Sequence, residues 1–70
     1  MPERLSVGES PINLTQVLKL AGLVLSGGEA KTLIAEGRVR VNGEVEYRKR
    51  RKMAAGDVVQ IENGPTLTLD

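Results

Sequence analysis

LSGGEAKTLIAEGRVRVNGEVEYRKRRK, residues 25–52, decides how the rest of this chain is read. It holds a helix start, a helix stop, an alternating strand, a tight turn and five consecutive basic residues, in that order. Ser26 and Glu29 have the S-x-x-E spacing of a capping box. There the serine hydroxyl accepts from the third helical amide and the glutamate reaches back to the cap amide. Leu25 and Ala30 stand at the two positions of a hydrophobic staple. Ala30, Leu33 and Ile34 share one helical face, and Gly37 ends the helix. A helix of barely two turns does not persist alone, so this one needs a partner helix and a sheet to pack on.

Arg38-Val39-Arg40-Val41 alternates as a strand does, valines one way and arginines the other. Asn42-Gly43 is the strongest short turn signal in the chain. A strict two-residue hairpin sets Arg40 opposite Val45 and Val41 opposite Glu44. That register places apolar against charged residues, so a bulge or only a brief pairing is expected after the turn. The run Arg48–Lys52 then reads as a loop or an irregular crossing.

Before this stretch, Asn13 can cap a first helix whose apolar face is Leu14, Val17, Leu18 and Ala21, with Gly22 at its end. Leu23, Val24 and Leu25 form an apolar connector expected to be buried. Residues 1–11 read as an N-terminal segment in which Arg4–Val7 alternates and is compatible with a short edge strand. After it, Gly56-Asp57 is a turn, Val58–Ile61 a strand and Asn63-Gly64-Pro65 a turn. Thr66–Leu69 is a terminal strand with Leu67 and Leu69 on one side. Two short helices followed by several short strands predict an α+β fold, the helices packed on one face of a small, mostly antiparallel sheet.

Seventy residues make one small domain. Histidine and cysteine are both absent, which removes the commonest general base, the commonest metal ligand and any thiolate chemistry. No nucleophile and base pair suggests itself, and Asp57 and Glu62 are isolated carboxylates. The expectation is a protein that is not an enzyme and takes no cofactor and no metal. No run approaches the roughly 20 apolar residues of a membrane span, and the N-terminus lacks the apolar core of a secretory signal. A cytoplasmic, membrane-free monomer is therefore expected.

The net charge is only +1, but its distribution is lopsided. Residues 19–52 carry nine basic and four acidic groups, an excess of five; one basic and five acidic groups lie outside them. A basic middle between acidic ends points to a polyanion. Five adjacent cations repel one another, which suits a loop facing phosphates or a solvated loop kept charged for solubility. Arg38, Arg40 and Lys31 in the same half of the chain favour nucleic acid. Gly27 and Gly28 leave backbone amides open at a helix start, where a phosphate can approach; the capping box competes for the same donors. Tyr47, the one aromatic residue, is equally compatible with stacking on a base and with a half-buried strand position. A single ring reads little sequence, so shape and phosphate recognition of a folded or double-stranded nucleic acid is expected over base readout.

The order of these motifs over residues 12–62 resembles the S4 RNA-binding domain. The family is named for a small-subunit ribosomal protein and also occurs in some pseudouridine synthases, tyrosyl-tRNA synthetases and a heat-shock protein. The whole chain looks like a stand-alone member, with residues 12–70 as the single S4-like domain of alpha-L type. The family's helix-start pattern is matched by Ser26, Gly28, Ala30, Lys31, Leu33 and Ile34, with Gly27 where an arginine usually stands. Its V-x-V-N-G turn is matched by Val39, Val41, Asn42 and Gly43. The resemblance implies binding to structured RNA, ribosomal or tRNA-like or in a ribosome-assembly intermediate, with the ribosome or ribosome-associated proteins as expected partners. The residues expected at the RNA are Gly27, Gly28, Lys31, Arg38, Arg40, Asn42, Arg48, Lys49, Arg50, Arg51 and Lys52. Arg48–Lys52 is expected to supply the charge missing at Gly27. Charge by itself also suits an adaptor for an acidic protein or non-specific DNA binding; the resemblance favours RNA.

Overall fold

Asn13 begins the first helix as its side chain predicts. Its Oδ1 accepts from the Gln16 amide at 2.9 Å, and Gln16 Oε1 accepts from the Asn13 amide at 2.9 Å. This reciprocal box starts α1, Leu14–Leu20. Ser26 caps α2, Gly27–Ala35, by accepting from the Glu29 amide at 3.2 Å. The returning bond from Glu29 is not made among the described residues, so only the serine half of the expected box exists. Both helices end in Schellman turns. Leu23 N–H donates to Leu18 and Gly22 N–H to Lys19; Arg38 N–H donates to Leu33 and Gly37 N–H to Ile34. Gly37 sits at φ +72°, a left-handed conformation that costs a residue with a Cβ about 1–2 kcal/mol.

The structure is a computed structural model that describes residues 3–6 and 12–70. Around the helices lie β1 (Glu3–Leu5), β2 (Ile12–Asn13), β3 (Val39–Val41), β4 (Glu44–Val45), β5 (Lys52–Met53), β6 (Val58–Ile61) and β7 (Thr66–Leu69). Five of them form one sheet in the order β1-β7-β6-β3-β4, antiparallel except where β1 runs parallel to β7; β2 and β5 form a separate antiparallel pair. The architecture is the expected α+β one, with two helices against a mostly antiparallel sheet. Arg38 lies just outside β3. Val7, in the segment read as a possible edge strand, lies outside the described residues.

After the Asn42-Gly43 turn, the strict hairpin register is adopted: Arg40 faces Val45 and Val41 faces Glu44. The pairing is brief, as expected of mismatched partners, because β4 is two residues long. Asn42 and Gly43 have φ of +53° and +87°, the left-handed pair that a tight hairpin turn demands.

One core joins the helices to the sheet. Leu14, Val17 and Leu18 from α1 meet Ala30 and Ile34 from α2, Val24 from the connector, and Val39, Val41, Met53, Val59, Leu67 and Leu69 from the strands. No polar or charged residue is buried among the described residues. Two expectations fail at Leu25, which is 93% exposed. The connector is buried only at Val24 and half-buried at Leu23. With Leu25 in solvent and Ala30 fully buried, the staple is not made. Ala21, expected on the inner face of α1, is its half-buried C-cap. No helix among the described residues is long and apolar enough to cross a membrane.

Candidate nucleic-acid interface

The basic run emerges from β4 through Glu46 and Tyr47 and is tied down at once. Helix α1 has orphan amides in its first turn, and two of them bind this loop: Leu14 N–H donates to the Arg51 carbonyl at 2.9 Å and Thr15 N–H to the Lys49 carbonyl at 3.2 Å. The Thr15 hydroxyl donates to the same Lys49 carbonyl at 2.8 Å. Arg51 N–H closes a turn on Arg48 at 3.1 Å. The backbone of the loop therefore has a fixed path, and the first-turn amides of α1 are taken up by protein groups.

The five cations are not equivalent. Glu46, with 13% of its side chain exposed, grips two of them. Arg48 donates through Nε and Nη2 to the two Glu46 carboxylate oxygens at 3.2 and 3.0 Å, and its amide donates at 3.2 Å. Arg51 Nε lies 2.9 Å from the same carboxylate. Arg51 also reaches Asp57 at 3.7 Å and the Met53 sulfur at 3.3 Å. Repulsion within the run is thus relieved by two carboxylates, one of them nearby in sequence and one not. Lys49, Arg50 and Lys52 have no ion-pair partner among the described residues.

The Arg48 hydrogen bonds hold the Glu46 carboxyl below its ordinary value, opposed by burial and assisted by the charges of Arg48 and Arg51. The unfolded chain has an ordinary glutamate value of about 4.3. The clamp's contribution to stability is therefore full above that pH and is lost as pH falls through the lower folded value. Glu46→Gln should destabilise the protein at pH 7 and lose less stability on acidification than the parent. Urea denaturation of the two proteins from pH 7 to pH 3 should show the gap closing in acid; a constant gap would mean the carboxylate charge does not matter.

The unpaired cations converge from three parts of the chain. Lys19 of α1, Lys31 of α2 and Lys49 and Arg50 of the loop line one groove, together with Thr15, Gln16 and Gly27. Lys31, Lys49 and Arg50 also line the neighbouring groove with Tyr47 and Arg48. Arg50 and Arg48 continue onto Lys52. At Gly27 a Cβ would meet only ordinary contacts, 3.9 Å to Thr15 and 4.0 Å to Lys19. Gly28 is as open, with its nearest neighbour 3.8 Å away. Lys49 and Arg50 thus share a groove with Gly27, and Gly28 lines none of these grooves.

The remaining expected residues lie elsewhere or are engaged. Arg38 sits between Glu36 at 3.6 Å and Glu62 at 3.7 Å. Arg40 projects from the outer face of the sheet, opposite Val39 and Val41, into a separate hollow lined by Gln60, Glu62 and Asn63. The Asn42 side chain closes the fold: it donates to Asp57 at 3.1 Å and accepts from the Val58 amide at 2.9 Å. Tyr47 lies in no strand and is 66% exposed. Sequence reasoning missed Glu46 and Thr15, which set the loop's shape. Glu46 was detectable as a carboxylate two residues before the basic run; Thr15 carried no signal.

Two capped helices against a small sheet, with a basic loop lashed to the first helix, define an alpha-L module, and the chain belongs to the S4 domain family. The family model for the S4 domain matches residues 5–69. The similarity extends to small proteins of nearly the same length. The "Probable ribosome maturation protein RlbA" of Bacillus subtilis is 45% identical over 62 residues, covering 89% of this chain and 87% of that one. The protein YbcJ of Escherichia coli is 51% identical over 55 residues, covering 77% and 79%. The solution structure of YbcJ, described as revealing an alpha-L motif involved in RNA-binding, superposes with a TM-score of 0.71 at 40% identity, covering 97% of this chain and 89% of that one. A tyrosine–tRNA ligase of Bordetella pertussis is 44% identical over 62 residues, which are 87% of this chain but 15% of the enzyme.

Proposed function

We propose that this protein is a non-catalytic module that binds structured RNA, ribosomal RNA or a ribosome-assembly intermediate, through the groove of Lys19, Lys31, Lys49 and Arg50. The observation that carries this reading is the convergence of unpaired cations from α1, α2 and the loop on one groove, while other arginines are neutralised within the fold. Cations without protein partners are available to phosphates, and each neutralised phosphate releases counterions. Lys52 and the 76% exposed Arg48 extend the track. Gly27, which lines the groove without a side chain, gives a phosphate close approach to the backbone at the start of α2. Arg51 and Asn42 act by holding the loop and hairpin in shape; Arg38 is engaged by Glu36 and Glu62, and Arg40 lies outside the groove. The S4 family and the RNA-binding motif described for the YbcJ structure support RNA as the polyanion, and the name of RlbA supports ribosome maturation as its setting. The lack of histidine and cysteine supports a binding role.

The test is titration of the full chain with a folded ribosomal RNA fragment, and with DNA of equal charge, at two salt concentrations. Tighter binding to the RNA with a steep salt slope is expected; equal binding to the DNA would overturn the choice of RNA. Gly27→Arg provides a second check, since the site has room for a side chain. It should raise RNA affinity and steepen the salt slope by about one contact, roughly 0.9. An unchanged slope would place Gly27 off the phosphate path.

A further inference from the structure

The RNA-binding reading leaves Tyr47 unused, yet its ring is held in a defined place. Its hydroxyl end lies over Gly37: a Cβ on Gly37 would fall 2.9 Å from Oη and 3.4 Å from Cε1 and Cζ. The ring is thus seated at one end where no side chain stands. The rest of it faces solvent, 66% exposed, and its hydroxyl makes no hydrogen bond among the described residues. An aromatic surface left open in this way is suited to a partner with both an apolar face and polar edges.

The surroundings say which partner. Tyr47 lines its groove with Ile34 and Ala35, which are apolar, and with Lys31, Lys49 and Arg50, which are cationic. The same three cations form the proposed phosphate track. Bases within a duplex are covered on both faces by their neighbours; an unpaired nucleotide offers a free face beside its own phosphate.

We infer that this groove takes one unpaired base of an otherwise folded RNA, stacked on Tyr47, with the flanking phosphates on Lys31, Lys49 and Arg50. This rests on the RNA-binding reading and sharpens it: the cations supply affinity for any folded RNA, and Tyr47 supplies preference for a bulge or loop.

Two hairpins with the same stem test the inference, one fully paired and one carrying a single unpaired 2-aminopurine. The full chain should bind the bulged hairpin about 5- to 150-fold more tightly, the range that one base–aromatic stack supports. Its binding should also change the 2-aminopurine fluorescence. Tyr47→Phe should keep the preference. Tyr47→Leu should lose it while leaving affinity and salt slope on the paired hairpin unchanged. Equal binding of the parent protein to both hairpins, or a preference that survives Tyr47→Leu, overturns the base site and leaves the RNA reading standing. No salt-dependent binding to either hairpin overturns both. If Tyr47→Leu fails to fold by circular dichroism, the parent protein's discrimination between the hairpins decides.

Discussion

Replacing Lys31, Lys49 and Arg50 together by serine should weaken binding to folded RNA by up to about 100-fold near 0.15 M salt. The three side chains come from a helix and a loop that sequence separates, and they line the same two grooves without ion-pair partners among the described residues. If each meets one phosphate, the slope of log affinity against log salt should fall by about 2 to 3. The fold should survive, because all three residues are exposed and none contributes to the core. The readouts are affinity at several salt concentrations and a thermal melt. An unchanged slope in a folded triple variant would remove these residues from the interface. Arg40→Ser is the useful comparison, since Arg40 leaves the sheet on the face away from the helices. A loss of slope comparable to one of the three would extend the RNA footprint to that face.

Leu14→Ala should damage the fold far more than any of these surface changes. Leu14 is fully buried at the start of α1, and truncating a buried leucine to alanine costs about 2–5 kcal/mol. A core in a domain this small supplies roughly 3–5 kcal/mol in all. The variant should therefore be largely unfolded at 37 °C, and urea denaturation should show its midpoint collapsing. The consequence reaches the interface, because the Leu14 and Thr15 amides hold the Arg51 and Lys49 carbonyls. A variant of near-parental stability would mean that the surrounding core closes over the cavity. Should osmolyte refold the variant, RNA affinity should return with the helix signal.

Much of the frame was legible because its causes are local. Asn13 and Ser26 cap helices through atoms three residues away. Val39 and Val41 face inward because strand side chains alternate, and Asn42-Gly43 turns because both residues tolerate positive φ. Local logic failed where a nearby residue had other work. Leu25 ends an apolar run yet points to solvent, directly before the extended N-cap Ser26. Gln16 completes a reciprocal box with Asn13, whereas the more familiar S-x-x-E pattern of Ser26 and Glu29 makes only the serine bond among the described residues.

The interface was legible as charge and not as shape. From the sequence, Arg48–Lys52 is a uniform block of five cations. Folding sorts it. Arg51 becomes a tie between Glu46 and Asp57, and Arg48 is half-committed to Glu46. Lys49 and Arg50 are presented beside Lys19 and Lys31. Caps, turns, strand alternation and the basic middle of the chain were set by residue type and short spacing, whose physics acts within a few bonds. Which cations stay free, which side of the sheet each occupies, and that Tyr47 rests over Gly37 were decided by tertiary structure alone. Ion pairing and seating depend on atoms brought within a few ångströms by folding, as Tyr47 is to Gly37 and Arg51 to Asp57, and no spacing along the chain records that distance.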